Sequence, residues 1–142
     1  MRIPFLNRVP TRKLTIRTTG SEAVKLTSAL KAVLAQLPDV QLLYLADNRT
    51  AQVLGFYTTS ASLNPDQLAQ EHAQLYQRPP QAVGATAKPT SELREATYLF
   101  EHQLHLTSVC QHADWHWGIV AKLPDVSLAL VRSVLRDQSL AL

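Results

Sequence analysis

Apolar positions switch between two spacings along the chain, and the switches mark its elements. From about Ser21 to Gln36, Leu26, Leu30, Val33 and Leu37 recur at helical spacing. They form one face of a helix, with Lys25 and Lys31 off the stripe and Pro38 as its stop. Thr19 and Glu22 are spaced as a capping box, with Ser21 as a rival cap. Two β-rich runs follow, Val40–Ala46 and Ala51–Thr58, joined by Asp47-Asn48-Arg49-Thr50. They predict a hairpin, and the nearly unbroken apolar run at 42–46 predicts a strand covered on both faces.

A second helix opens on Asn64 as N-cap and Pro65 at its first position. Asp66 suits the helix dipole, Gln67 can close a capping box, and Leu63 and Leu68 bracket the cap as a staple. The helix runs to about Gln77 with Leu68, His72, Leu75 and Tyr76 on one side, and Pro79-Pro80 ends it. A long Pro/Ala/Thr/Ser loop spans 79–94, with room for a helical turn near 90–94.

Three strands are predicted next, at 96–101, 104–112 and 115–121. Leu104, Leu106, Ser108 and Cys110 share one face of the middle strand, and Trp115, Trp117 and Ile119 share one face of the last. Short connections at His102-Gln103 and Ala113-Asp114 make them antiparallel neighbours. The closing helix starts near Pro124-Asp125, with Asp125 as its cap. Leu128, Val131 and Leu135 form its stripe, Leu130 and Val134 widen it, and Arg132 and Arg136 lie opposite. Residues Lys13 to Thr18 alternate briefly, as a short edge strand would.

The order α-ββ-α-βββ-α predicts an α+β domain: one five-stranded antiparallel sheet flanked by helices. Residues 1–18 read as a basic arm, partly disordered or an edge strand, 19–138 as the domain and 139–142 as a tail. The 142 residues, 46% hydrophobic and 18% charged, suit a single core. No apolar run has the roughly 18 residues of a membrane span. The opening stretch has no apolar export segment, and Cys110 is the sole cysteine, so a cytoplasmic location is expected. Of the net charge of +3, the first 20 residues hold five basic side chains and no acidic one. A folded body with no basic aromatic face makes nucleic acid an unexpected partner.

The candidate chemistry is sparse. His102, His105, His112 and His116 cluster around Cys110, and on a strand Cys110 and His112 share a face as candidate metal ligands. His105 falls on the opposite face, and the spacings match no zinc pattern, so half-buried strand histidines are the simpler reading. The apolar neighbours of Cys110 make it a core thiol rather than a nucleophile. With four glycines and no phosphate-cradling motif, no cofactor is expected. Glu92 and Glu95 read as solvated loop acids. Trp115-His116-Trp117 reads as core or subunit packing rather than a ligand platform.

The element order, Leu37-Pro38-Asp39-Val40 leading into an apolar strand and then Asp47, and the helix Leu128-Ala-Leu-Val-Arg-Ser-Val-Leu-Arg resemble the roadblock (dynein light chain) family, bacterial type, over residues 20–137. Asn48-Arg49 replaces the family's usual Asp-Gly turn, and the second helix is more polar than the family's dimer helix. The resemblance implies a roadblock/profilin-like fold and a non-enzymatic scaffold. It would form homodimers or heterodimers and regulate a Ras-like small GTPase or a multi-protein complex. Leu68, His72, Leu75, Tyr76, Tyr98 and Phe100 are the expected partner-binding residues. Two other readings stay open: a chaperone-like module holding an extended peptide at a strand edge, and a small-molecule or metal sensor.

Overall fold

The computed structural model describes residues 13–78, 93–110, 114–123, 126–140 and 142. The elements run β1 (Thr15–Ile16), α1 (Gly20–Gln36), β2 (Val40–Asp47), β3 (Val53–Thr58), α2 (Pro65–Gln77), β4 (Glu95–Leu99), β5 (Gln103–Val109), β6 (Trp115–Lys122) and α3 (Leu128–Ser139). The predicted order is present with one addition. The sheet has six strands, not five, in the order β1-β3-β2-β6-β5-β4, and each neighbouring pair is antiparallel. The sixth is the brief alternation at Thr15–Ile16, which pairs with Phe56 and Gly55 on the outer side of β3.

Helices cover both faces, so the central strands are apolar on both sides. On one face α1 and α3 bury Leu26, Leu30, Val33, Val131 and Leu135 against Leu43, Leu45, Leu106, Trp117 and Ile119. Each such side chain contributes about 1.5–3 kcal/mol by leaving water. On the other face α2 lays Ala69 and Leu68, with Leu63 just before the helix, over Leu42, Tyr44, Ala46, Val53 and Val120. The run 42–46 is accordingly buried throughout.

Local signals fix the boundaries. Asn64 caps α2, its Oδ1 accepting from the backbone N–H groups of Asp66 (3.0 Å) and Gln67 (3.2 Å). The hairpin turn is held by Asp47, whose Oδ1 accepts from the N–H of Arg49 (2.7 Å) and of Thr50 (3.1 Å). That Asx turn does the work of the missing Asp-Gly pair and brings Ala51 to a positive φ of 62°.

Other expectations need correction. Thr19 is the N-cap of α1 but makes no side-chain cap bond, and Glu22 instead accepts from the Thr18 hydroxyl at 3.0 Å. The cap of α3 is Ser127, and Pro124 and Asp125 lie outside the described residues. Leu130 points away from the core and is exposed, because α3 packs by the narrower stripe of Val131, Val134 and Leu135. Glu95 is no loop acid: it begins β4 and accepts from Arg132 of α3 at 2.8 Å. Ser139, assigned to a tail, is the buried last residue of α3, and its hydroxyl accepts from the Trp117 indole at 2.9 Å. Most of the predicted loop, 79–92, lies outside the described residues, as does the arm at 1–12.

Candidate functional site

The two edges of the sheet differ. Beside β3 runs β1, and Arg17 just after β1 closes that flank with a two-pronged pair to Asp66 of α2 at 2.6 and 3.2 Å. At the other edge, among the described residues, β4 pairs only with β5. An edge strand leaves every second N–H and C=O without a ladder partner.

The end of this edge is apolar: Tyr98 is 40% exposed, Leu99 68% and Phe100 55%. Tyr98 lies opposite His105 in register, on the α2 face, and Leu99 lies opposite Leu104, on the α1/α3 face. The Tyr98 ring is parallel to that of His72 with centroids 6.4 Å apart, and Phe100 meets His105 edge-on at 4.8 Å. The predicted residues Tyr98 and Phe100 thus form one aromatic ridge.

Behind the ridge, α2 and the sheet enclose a chain of polar side chains. Tyr44 sits in the middle of β2, with its hydroxyl hydrogen-bonded to Nδ1 of His72 and, at 3.0 Å, to Nε2 of His116. Nδ1 of His116 lies 2.7 Å from Oδ1 of Asn48. Burial pushes His72 down to about 4 and His116 down to about 3, so both rings are neutral near pH 7. A neutral ring has one N–H, which settles the direction of every bond. With Asn48 Oδ1 as acceptor, His116 donates from Nδ1. Its Nε2 then accepts the Tyr44 proton, and Tyr44 oxygen accepts from Nδ1–H of His72. Tyr76 adds a hydroxyl bond to Thr107 at 2.8 Å and a ring contact with His116 at 5.2 Å. Burial raises the Tyr44 and Tyr76 hydroxyls above their ordinary range, which keeps them protonated.

This chain of bonds ties α2 to the sheet. His72 is buried, and the hydroxyl of Tyr76 is turned inward to Thr107, so these two expected partner-binding residues support the surface from behind. Leu68 packs on the α2-side core, and Leu75 lines a separate cleft with Glu71, Gln74, Gln77 and Arg78.

Of the two candidate metal ligands only Cys110 lies among the described residues. Cys110 is buried on the α1/α3 face, where burial pushes its thiol up to about 12, and His112 lies outside the described residues. His105 and His116 occupy the opposite face, and His102 is exposed at the β4–β5 turn. Among the described residues no three His, Cys, Asp or Glu side chains come together to hold a metal ion. Trp117 is fully buried and Trp115 packs at the edge of the same core, as strand packing predicts. The polar chain through Tyr44 is invisible to periodicity, because its members lie up to 72 positions apart. The one local signal is a tyrosine inside a leucine run.

No protein-family model matches the chain, and no curated protein matches its sequence. Its similarity is to solved structures. MglB of Myxococcus xanthus superposes with a TM-score of 0.68 at 15% identity, covering 87% of this chain and 89% of that one. A structure titled "MglB with tetrameric arrangement" gives 0.66 at 14% identity, over 88% and 90%. A roadblock/LC7 domain from Streptomyces avermitilis gives 0.63 at 12%, over 78% and 88%. Superposition over most of both chains shows that this chain has the roadblock-like fold.

Proposed function

We propose that the chain is a non-enzymatic scaffold that pairs with a second copy through β4 and offers the resulting surface to a Ras-like small GTPase or a larger protein assembly. The observation that carries it is the asymmetry of the sheet, whose one edge is capped by β1 while the other ends in exposed Tyr98, Leu99 and Phe100. Antiparallel β4 strands related by a two-fold axis satisfy each other's ladder groups, because an isologous contact is self-complementary. Their joining covers the aromatic ridge and makes one continuous sheet. The tetrameric arrangement named for one structural neighbour is in keeping with a fold that assembles. The GTPase as partner rests on the family resemblance of the sequence together with the fold. It asks the scaffold only to place a surface against the switch regions, which needs no catalytic side chain.

Light scattering on the full chain is expected to give a dimer. The variant L99K/F100E is expected to give a folded monomer, since charge on an edge strand opposes pairing. Retention of a Ras-like GTPase is expected to depend on whether GDP or a non-hydrolysable GTP analogue is bound. A strict monomer at high concentration, with equal or no retention in both nucleotide states, would sink the proposal. The free edge also favours a second reading, in which an extended peptide adds to β4. Peptide binding lost in L99K/F100E, with no self-association of the unaltered chain, would establish that reading instead.

A further inference from the structure

A cleft of about 190 Å³ opens where the start of β4 and the end of β5 meet α3. Arg94, Glu95, Ser108, Arg132, Arg136 and Ser139 line it. Arg132 and Arg136 lie one turn apart on α3, and Arg94 is the residue before β4. Guanidiniums at that helical spacing repel each other, and a third from the sheet adds to the repulsion. The single acid among the described lining residues is Glu95, whose Oε2 accepts from both Nε and Nη2 of Arg132 at 2.8 Å. Arg94, Arg136 and the Ser108 hydroxyl make no ion pair or side-chain hydrogen bond with any described residue. The hydroxyl of Ser139 is already used, accepting from Trp117 and donating to the Leu135 carbonyl. Among the described residues, therefore, the cleft holds two uncompensated positive charges, two open guanidinium forks and one open hydroxyl.

We propose that this cleft binds a small phosphate monoester. Arg94 and Arg136 grip the phosphate from opposite walls, and the Ser108 hydroxyl donates to a further oxygen. Arg132 stays on Glu95 and shields the anion from that carboxylate. Two surplus charges match a dianionic phosphate and would leave one unmatched against a monocarboxylate. Guanidinium forks fit the phosphate oxygens two at a time. The volume is below the roughly 300–1,000 Å³ of sites for drug-sized ligands, so the ester is a small one. The cleft lies on the α3 side of the sheet, at the opposite end of β4 from Phe100. It is thus separate from the aromatic ridge.

The test is a titration of the full chain with inorganic phosphate and with O-phosphoserine at fixed ionic strength. Nitrogen–proton NMR follows the arginine Nε–H groups and the Ser108 amide. Saturable shifts at these groups are expected with both probes, and none with acetate. Each of R94Q and R136Q is expected to weaken binding about tenfold, and K122Q, at a distant exposed lysine, to leave it unchanged. Both arginines are exposed, so each single variant keeps the fold and its spectrum reports that directly. Absence of saturation, equal shifts with acetate, or undiminished affinity in R94Q and R136Q overturns the proposal. Flotation with phosphatidic acid vesicles without binding of the free probes also overturns it, in favour of a lipid headgroup.

Discussion

Gly118 lacks the one atom that Tyr44 could not tolerate. A Cβ there would stand 1.9 Å from the Tyr44 ring, which lies across β6 and is fixed by hydrogen bonds to His72 and His116. Gly118→Ala is expected to lower stability by about 1–3 kcal/mol or more, because the ring has no free direction in which to move. Thermal unfolding checks this, and an unchanged midpoint would show that the ring is not held. The same cluster sets a pH dependence. The folded-state values of about 4 for His72 and about 3 for His116 lie below the ordinary histidine value. The unfolded chain therefore binds the extra protons, and stability rises with pH across the interval. The contribution is complete above about pH 6.5 and is lost as pH falls toward 4 and then 3. Each pH unit costs up to about 1.4 kcal/mol per ring. Urea midpoints are expected to drop between about pH 7.5 and about pH 5, and to drop less in H72Q/H116N. An equal drop in both proteins would assign the effect to other groups.

Among the elements, α2 shows how local and tertiary signals divide the work. Its start was legible, since Asn64 caps the helix from the spacing alone. Asn64→Ala is expected to cost about 1 kcal/mol, measured by chemical denaturation, whereas Gln67→Ala is expected to cost little, since the observed cap bonds come from Asn64 alone. Its buried face was only partly legible. His72 is buried on the expected side, but Ala69 and Ala73, buried beside it, carry too little hydrophobic signal to stand out. In α3 the stripe was read too wide at Leu130, because periodicity states which residues share a side but not how far the neighbouring layer extends. Arg132 was read as a solvated charge. Its pairing with Glu95 depends on α3 crossing the start of β4, a contact between residues 37 positions apart.

For the whole molecule, the sheet edges decide what the fold can do. The two paired residues of β1 cover β3, and Arg17 ties that strand to α2. Removal of residues 1–17 is expected to lower stability, because Leu14 and Ile16 pack against the α1/α3-side core, whereas the exposed Arg17–Asp66 pair contributes only about 0–1 kcal/mol. It is also expected to turn a discrete dimer into larger species by opening a second edge, with light scattering against concentration as the measurement. A truncated chain that stays a discrete dimer would mean that β3 needs no cover.

Element order, the two-sided burial of β2, the antiparallel pairing of the last three strands and the cap of α2 were determined by the sequence alone. Each follows from residues within a few positions of one another, where helix and strand periods and cap geometry act. The place of the Thr15–Ile16 strand beside β3, the Tyr44–His72–His116–Asn48 chain and the arginine cleft were decided by tertiary structure. Their members are brought together only when the sheet is assembled, and hydrogen bonds and charge then select among side chains that the linear pattern leaves equivalent.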